Sequence, residues 1–150
     1  MNTIIQQQWL IIGIVFFGIV FYISLIRYRD KRWIDKRFGS DTVRAMSFGV
    51  NYFGRATEKG APRKSSGFLL LLSDRLFFRS RLARLELDIP AKSIQRVYHG
   101  SDHKGVDLHQ SVMKIDFLTV DHRQDTAAFK VPYPPQWISA IRNTLIKQAS

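Results

Sequence analysis

An uncharged run near the start of the chain constrains the fold more than any other feature. No charged side chain precedes Arg27, and Trp9 to Ile26 is an almost unbroken apolar segment. As a helix this segment is about 27 Å long, close to the roughly 30 Å hydrocarbon core of a bilayer. The remaining chain is too small to bury such a helix on every side. The sequence therefore predicts a transmembrane helix over residues 4–26.

A cleaved signal peptide is the alternative interpretation of this run. It requires a basic segment before the apolar one and small residues at a cleavage site. Neither feature is present, so an uncleaved anchor is favoured, with Trp9, Tyr22 and Tyr28 as interfacial residues. Gly13 and Gly18 are five residues apart, so the GxxxG dimer motif is absent and the span gives no argument for dimerisation.

A basic flank follows the apolar run and predicts the orientation of the chain. Residues 27–37 contain six basic and two acidic side chains. Because basic residues are retained in the cytoplasm, we expect the short N-terminus outside a plasma or inner membrane and the later domain in the cytoplasm. Basic side chains next to a span also contact acidic headgroups. The expected headgroup contacts are Arg27, Arg29, Lys31, Arg32, Lys36 and Arg37.

Composition limits what the rest of the chain can be. The 150 residues include no cysteine, which excludes disulfides and thiolate metal sites and agrees with a reducing cytoplasm. The net charge is +11, and a protein already attached to a membrane has an acidic surface at hand as its partner. We expect a basic juxtamembrane helix and connector over residues 27–44 and one compact domain over residues 45–150.

Beyond the connector the apolar residues follow a period of two, which is typical of strands. Phe48, Val50 and Tyr52 begin this pattern, and together with short, wholly apolar segments such as Gly67–Leu72 it predicts seven strands. Residues 99–110 interrupt it and are expected to form a polar loop. Near the end, Ile138, Ile141 and Leu145 instead follow the helical period. The sequence predicts a mainly β domain, a seven-stranded antiparallel sandwich or open barrel closed by a C-terminal helix.

Two segments resemble the pleckstrin-homology (PH) superfold, in particular its GRAM and bacterial PH-like branches. Gly67–Phe78 (GFLLLLSDRLFF) is similar to the family's hairpin, in which a polar triplet joins two apolar strands. Leu87–Ile94 (LDIPAKSI) is similar to the Ile-Pro-x-x-x-Ile step between the fourth and fifth strands. With the terminal helix, the resemblance covers residues 45–148. It implies a PH-like module that binds lipid or protein.

The loop between the first two strands is the candidate binding site, since the resemblance implies that family members often bind acidic lipid there. The matching residues are Arg55, Lys59, Arg63 and Lys64. Such a cluster can hold phosphate oxygens, but the second strand lacks the Lys-x-Arg pattern of lipid-binding members. A solvated flexible loop is the alternative. A second basic group around the next hairpin is interpreted as a charged outer strand face that pairs with nearby acids; it comprises Arg75, Arg79, Arg81 and Arg84.

Metal, catalytic and nucleic-acid sites are not expected. The four histidines match no zinc spacing, and we interpret them as loop residues: His99, His103, His109 and His122. No catalytic motif occurs, so no enzyme activity and no cofactor are predicted. The phenylalanines are needed for the core, which leaves no aromatic platform for nucleic acid.

Two functions agree with these features. The first is a membrane-anchored cytoplasmic binding module, an accessory or scaffold component that docks a partner protein on a sheet edge or beside the terminal helix. The second is an anionic phospholipid-binding domain. A domain fixed to a bilayer meets lipid at an effective concentration on the order of millimolar, so it needs no lipid pocket for recruitment. This argument favours the protein partner.

Overall fold

The computed structural model describes residues 2–39, 41–81 and 84–146. These residues fall into two units, divided between residues 40 and 41.

The first unit is a single helix, α1, at Asn2–Phe38. Its 37 residues give a length of about 55 Å, and the apolar part is long enough to cross a bilayer. Apolar side chains along it are exposed, Phe17 by 76%. The helix ends at Gly39, whose φ of +77° is the left-handed conformation that favours glycine, and whose N–H donates to the Asp35 carbonyl at 3.1 Å.

The second unit is a mainly β domain with a helical C-terminus. Its strands are β1 (Val43–Arg55), β2 (Ser65–Leu72), β3 (Arg75–Ser80), β4 (Glu86–Pro90), β5 (Ile94–His103), β6 (Val106–Leu118) and β7 (Gln124–Lys130). A 3-10 turn at Ala91–Ser93 lies between β4 and β5, and α2 at Pro134–Ile141 continues as a π-helical segment at Arg142–Ile146. The predicted class, seven antiparallel strands followed by a terminal helix, is confirmed. Strand β1 begins at Val43, inside the segment expected to be a connector.

All seven strands belong to one open antiparallel sheet in the order β4-β3-β2-β1-β7-β6-β5. The long β1 joins its two halves, because it pairs with β2 along most of its length and with β7 near its end, where Tyr52 lies opposite Phe129. Register shifts in β1, one of them between Ser47 and Val50, bend the strand at this point. Strands β4 and β5 are therefore the two edges.

The prediction of a polar loop over residues 99–110 is wrong. Strands β5 and β6 continue through it as a hairpin, with His103 opposite Val106. Lys104 and Gly105 form its two-residue turn, with φ of +55° and +74°. Two consecutive positive φ angles match the twist of a tight hairpin. Backbone pairing thus extends where the side chains show no clear apolar alternation.

One hydrophobic core draws on every strand and on α2. At its centre the rings of Tyr52, Phe78 and Phe129 lie 5.0–5.6 Å apart. Burial raises the pKa of the Tyr52 phenol. The predicted helical stripe is confirmed, since Ile138, Ile141 and Leu145 are all buried against this core.

Candidate functional site

The free edge of β5 forms one border of a surface groove. Its register with β6 is continuous from Arg96 to Gly100. The Val97 carbonyl accepts a hydrogen bond from a helical side chain, so it points away from β6. In an antiparallel ladder alternate residues direct their backbone groups to the same side. The N–H and C=O of His99 therefore also face the open edge.

Helix α2 forms the other border. Tyr133 precedes it in the left-handed conformation, with φ of +54°, and Pro134 and Pro135 open the first turn, where a missing N–H is tolerated. The turn directs the helix onto the core, where Trp137 and Ile138 are buried. The helix is thus held beside β5 by its apolar side.

The groove between these elements has a volume of about 430 Å³, within the range of ligand-binding clefts. Ile138 lies buried at its floor, and most of the other side chains around it are exposed. The lining residues are Tyr98, His99, Pro135, Ile138, Ser139, Arg142 and Asn143. An apolar floor, polar walls and an open strand edge suit an extended peptide.

Arg142 connects the two borders of the groove. Its Nη2 donates to the Val97 carbonyl at 2.7 Å. It is also the first residue of the π-helical segment, a type of turn that is frequent at functional sites. The exposed Arg142 side chain therefore occupies one backbone acceptor of the β5 edge.

The outer face of β5 is held by a network around the buried Asp116 carboxylate. Asp116 accepts hydrogen bonds from Arg96 Nη2 at 3.0 Å, the Tyr98 hydroxyl at 3.1 Å and Thr126 Oγ1 at 2.6 Å. Hydrogen bonding to Asp116 raises the pKa of Arg96, and burial raises the pKa of Tyr98. The carboxylate is saturated by these donors, so the network positions β5 and offers no ligand site.

Of the four cations predicted as a binding site in the β1–β2 loop, three are exposed and one is paired with acids. Arg55 Nε lies 3.4 Å from Glu58 Oε1 and 3.7 Å from Asp125 Oδ2, so its charge is compensated. Lys59, Arg63 and Lys64 are exposed, and within the described ranges they form no ion pair. The loop directs three of its four predicted cations to solvent.

The loop is anchored at its base. The fully buried Asp125 carboxylate accepts from Thr57 Oγ1 at 2.8 Å and from the Thr57 N–H at 3.2 Å. His103 Nε2 hydrogen-bonds to the Gly54 carbonyl at 2.8 Å, and burial lowers the pKa of this histidine. Lys104, in the β5–β6 turn, donates to the Glu58 carbonyl. The turn thus adds a fourth cation beside the loop.

Two arginines of the second basic group, Arg75 and Arg79, pair with acids. Arg75 Nη1 lies 3.0 Å from Asp88 Oδ2, and its Nε lies 3.2 Å from Asp74 Oδ1. A hydrogen bond to Asp74 raises the pKa of Arg75. Arg79 lies 4.0 Å from Glu86 across the β3–β4 pair. This surface is a charged outer strand face.

The six predicted headgroup contacts all lie on α1, and all are exposed. At 3.6 residues per turn they are distributed around the helix and share no single face. Arg37 stacks on Trp33, with its guanidinium carbon 5.1 Å from the ring centroid. The flank is thus a basic collar (Arg27, Arg29, Lys31, Arg32, Lys36 and Arg37).

The histidines do not form a common site. His103 is buried, His99 lines the groove, and the other two are exposed on β6 and in the β6–β7 turn. Among the described residues, no group of three histidine or acidic side chains is placed to hold a metal ion.

Sequence reasoning missed Arg142, His99 and Lys104 as site residues. Arg142 carried a weak signal, because it lies four residues after Ile138, at the margin of the apolar helical stripe. His99 and Lys104 carried none, since their positions depend on the extent of the β5–β6 hairpin.

No protein-family model and no curated protein matches this chain. Its fold is similar to the C-terminal domain of an unknown protein from Leishmania infantum, with a TM-score of 0.52 at 16% identity, over 77% of this chain and 97% of that one. It is also similar to a chain of the 8S snRNP assembly intermediate, with a TM-score of 0.50 at 8% identity, over 72% and 82% of the two chains. At these identities the likeness concerns the fold alone.

Proposed function

We propose that this chain is a single-pass membrane protein whose cytoplasmic PH-like domain docks a partner protein as an accessory or scaffold component. The apolar part of α1 and the basic collar support the anchor and its orientation, with the N-terminus outside a plasma or inner membrane. Seven antiparallel strands followed by a helix, with β1 joining the two halves of the sheet, support the PH-like assignment. The domain acts by binding and not by catalysis.

The groove between β5 and α2 is the observation that carries the docking proposal. It combines an unpaired strand edge with an apolar floor at Ile138 and room for side chains. An extended segment of a partner adds to such an edge by backbone hydrogen bonds, and the pocket then accepts its alternate side chains. A domain already tethered to the bilayer needs no further affinity for lipid, so its groove serves another ligand.

Photocrosslinking of the full chain in intact membranes tests this proposal. A photoreactive residue replaces Ser139, which lines the groove, or Val120 in the β6–β7 connection, which is 97% exposed and serves as the control. We expect one stoichiometric protein adduct from position 139, with the linked segment identified by mass spectrometry, and none from position 120. Equal labelling from both positions, or no adduct from the groove, would remove the proposal.

Binding of anionic phospholipid by the loop is the second candidate function. The exposed Lys59, Arg63 and Lys64 support it, since they keep their charges unpaired within the described ranges, and Lys104 lies beside them. Basic residues near an anionic surface contribute about 1 kcal/mol each. The loop thus offers a diffuse electrostatic surface.

The full chain in phosphatidylcholine nanodiscs, mixed with phosphatidylglycerol or phosphatidylcholine vesicles, tests the lipid function by co-flotation. Changing Lys59, Arg63 and Lys64 to Gln should abolish selective co-flotation with the anionic vesicles. The matched control changes three exposed basic residues elsewhere to Gln and removes the same net charge: Lys92, Arg123 and Lys130. Equal losses in the two triple variants would show that net charge, and not the loop, attracts the vesicles.

A further inference from the structure

The groove between β5 and α2 is lined by one permanently charged side chain, that of Arg142. The described residues that line the groove include no carboxylate. The Asp116 carboxylate, which accepts from the groove-lining Tyr98, lies on the outer face of β5, where Arg96 and Thr126 also donate to it. The groove is therefore complementary to an acidic ligand and unfavourable for a basic one.

Arg142 is prepared to bind a carboxylate. Its Nη2 bond to the Val97 carbonyl fixes the guanidinium at the strand edge. Within the described ranges this is the only hydrogen bond of the Arg142 side chain, which forms no ion pair there. A guanidinium has five N–H donors in a rigid fork that matches the geometry of a carboxylate. Four donors of Arg142 are thus left, and the side chain has already lost part of its rotational freedom.

The backbone beside Arg142 is suited to an extended ligand. His99 directs its N–H and C=O to the open edge, two residues from the carbonyl that Arg142 occupies. Two residues along a strand correspond to about 7 Å, roughly the repeat of side chains on one face of an added strand. If one residue of a ligand strand forms backbone hydrogen bonds with His99, the residue two positions along that strand has its side chain close to the Arg142 guanidinium.

We propose that the groove selects an extended acidic segment of a partner protein. A carboxylate of that segment binds the Arg142 fork, and its backbone pairs with His99. This inference rests on the proposed docking function and adds to it the chemistry of the partner. An apolar segment or an anionic vesicle is the other possible occupant, and each gives a different result in the test below.

Binding of synthetic peptides to the full chain in phosphatidylcholine nanodiscs tests the inference. The probe is a labelled six-residue peptide of alternating Glu and Val, and its matched control replaces each Glu by Gln. Alternation places all the carboxylates on one face of the strand. By fluorescence anisotropy we expect the Glu peptide to bind at least about tenfold more tightly, because hydrogen bonds to charged partners are the stronger ones.

Three variants assign the selectivity to one side chain. Arg142→Gln should lose about tenfold in affinity for the Glu peptide, and Arg142→Lys should recover part of it, because it restores the charge but not the fork. Arg123→Gln, an exposed loop position, removes the same charge and should bind like the unmodified chain. Near-UV circular dichroism of each variant verifies that α2 remains packed on the core.

Several results would overturn the inference. The first is equal affinity for the Glu and Gln peptides, which would indicate an apolar segment as the ligand. The second is an equal loss of affinity in Arg142→Gln and Arg123→Gln. The third is no binding of the Glu peptide at about 1 mM. Anionic vesicles are also added to compete with the Glu peptide for the chain. If they displace the peptide equally well from the unmodified chain and from Arg142→Gln, the acidic ligand binds outside the groove. A protein adduct at position 139 together with any of these results would retain the docking function and reject only the acidic chemistry.

Discussion

Gly67, near the start of β2, is the glycine around which the structure leaves least room for a side chain. A Cβ at this residue would lie 2.0 Å from the Arg79 carbonyl oxygen and 2.9 Å from Ser80 Cα, both backbone atoms of β3. Ordinary contact begins at 3.4 Å, so Gly67→Ala requires the two strands to move apart by more than an ångström. Because backbone hydrogen bonds extend only to about 3.2 Å, this shift breaks the pairing at that end of the sheet.

The cost follows from these displacements. Overpacking costs about 1–3 kcal/mol, and the one or two lost hydrogen bonds contribute about 1 kcal/mol each. We therefore expect Gly67→Ala to lower the free energy of unfolding by about 2–5 kcal/mol. For a domain of about 100 residues, this lowers Tm by roughly 10–25 °C.

Thermal unfolding of the full chain in detergent micelles, followed by near-UV circular dichroism, measures the effect. Gly49→Ala is the matched control, because Gly49 also lies in a strand and, apart from its two chain neighbours, no described residue has an atom within 4 Å of its added Cβ. We expect this control to change Tm by only a few degrees, in the stabilising direction if the unfolded chain is stiffened. A Tm for Gly67→Ala close to that of Gly49→Ala would refute the argument from close strand contact.

Three other predictions concern stability and membrane insertion. Because folding lowers the pKa of His103, the unfolded state binds more protons than the folded state as the pH decreases below about 6.5. The free energy of unfolding is therefore highest above about pH 6.5. It decreases as the pH falls toward the folded-state pKa, by at most about 1.4 kcal/mol per pH unit. Urea midpoints at pH 7.5 and 5.5 should differ less in His103→Gln than in His122→Asn, an exposed control, and equal differences would contradict this. Asp125→Ala should lower the free energy of unfolding by about 2–3 kcal/mol, because it removes both bonds to Thr57, and an unchanged urea midpoint would contradict it. Val15→Arg should release the chain from membranes at alkaline carbonate, since a central arginine costs about 2.5–3.5 kcal/mol, whereas Val15→Leu should not; retention of both would argue against a span.

Local patterns predicted the elements of this fold well. The period-two segments became strands, and the helical stripe at Ile138, Ile141 and Leu145 became the core-facing side of α2. Both patterns state which side chains are buried, and burial drives the formation of these elements. The hairpin through His103 was not predicted, because its pairing depends on backbone bonds and a tight turn at Lys104 and Gly105.

The candidate sites were less predictable. The sequence placed four cations in the β1–β2 loop, but Arg55 is compensated by Glu58, three residues away, and also by Asp125, which lies on β7 and is distant in the chain. Conversely, Arg142 and Val97 are 45 residues apart and meet only because α2 packs beside the β5 edge. Charge and residue type are local properties, whereas the pairing of two charges is a property of the fold.

The sequence by itself determined the apolar helix, the basic collar and a β domain closed by a helix, because hydropathy and charge act over one element at a time. The tertiary structure alone decided which cations are unpaired and which strand edge is open. It brought His99 and Arg142 to one groove, since β5 is last in the sheet and α2 returns beside it. Contacts between distant segments depend on strand order and packing, and no local pattern records them.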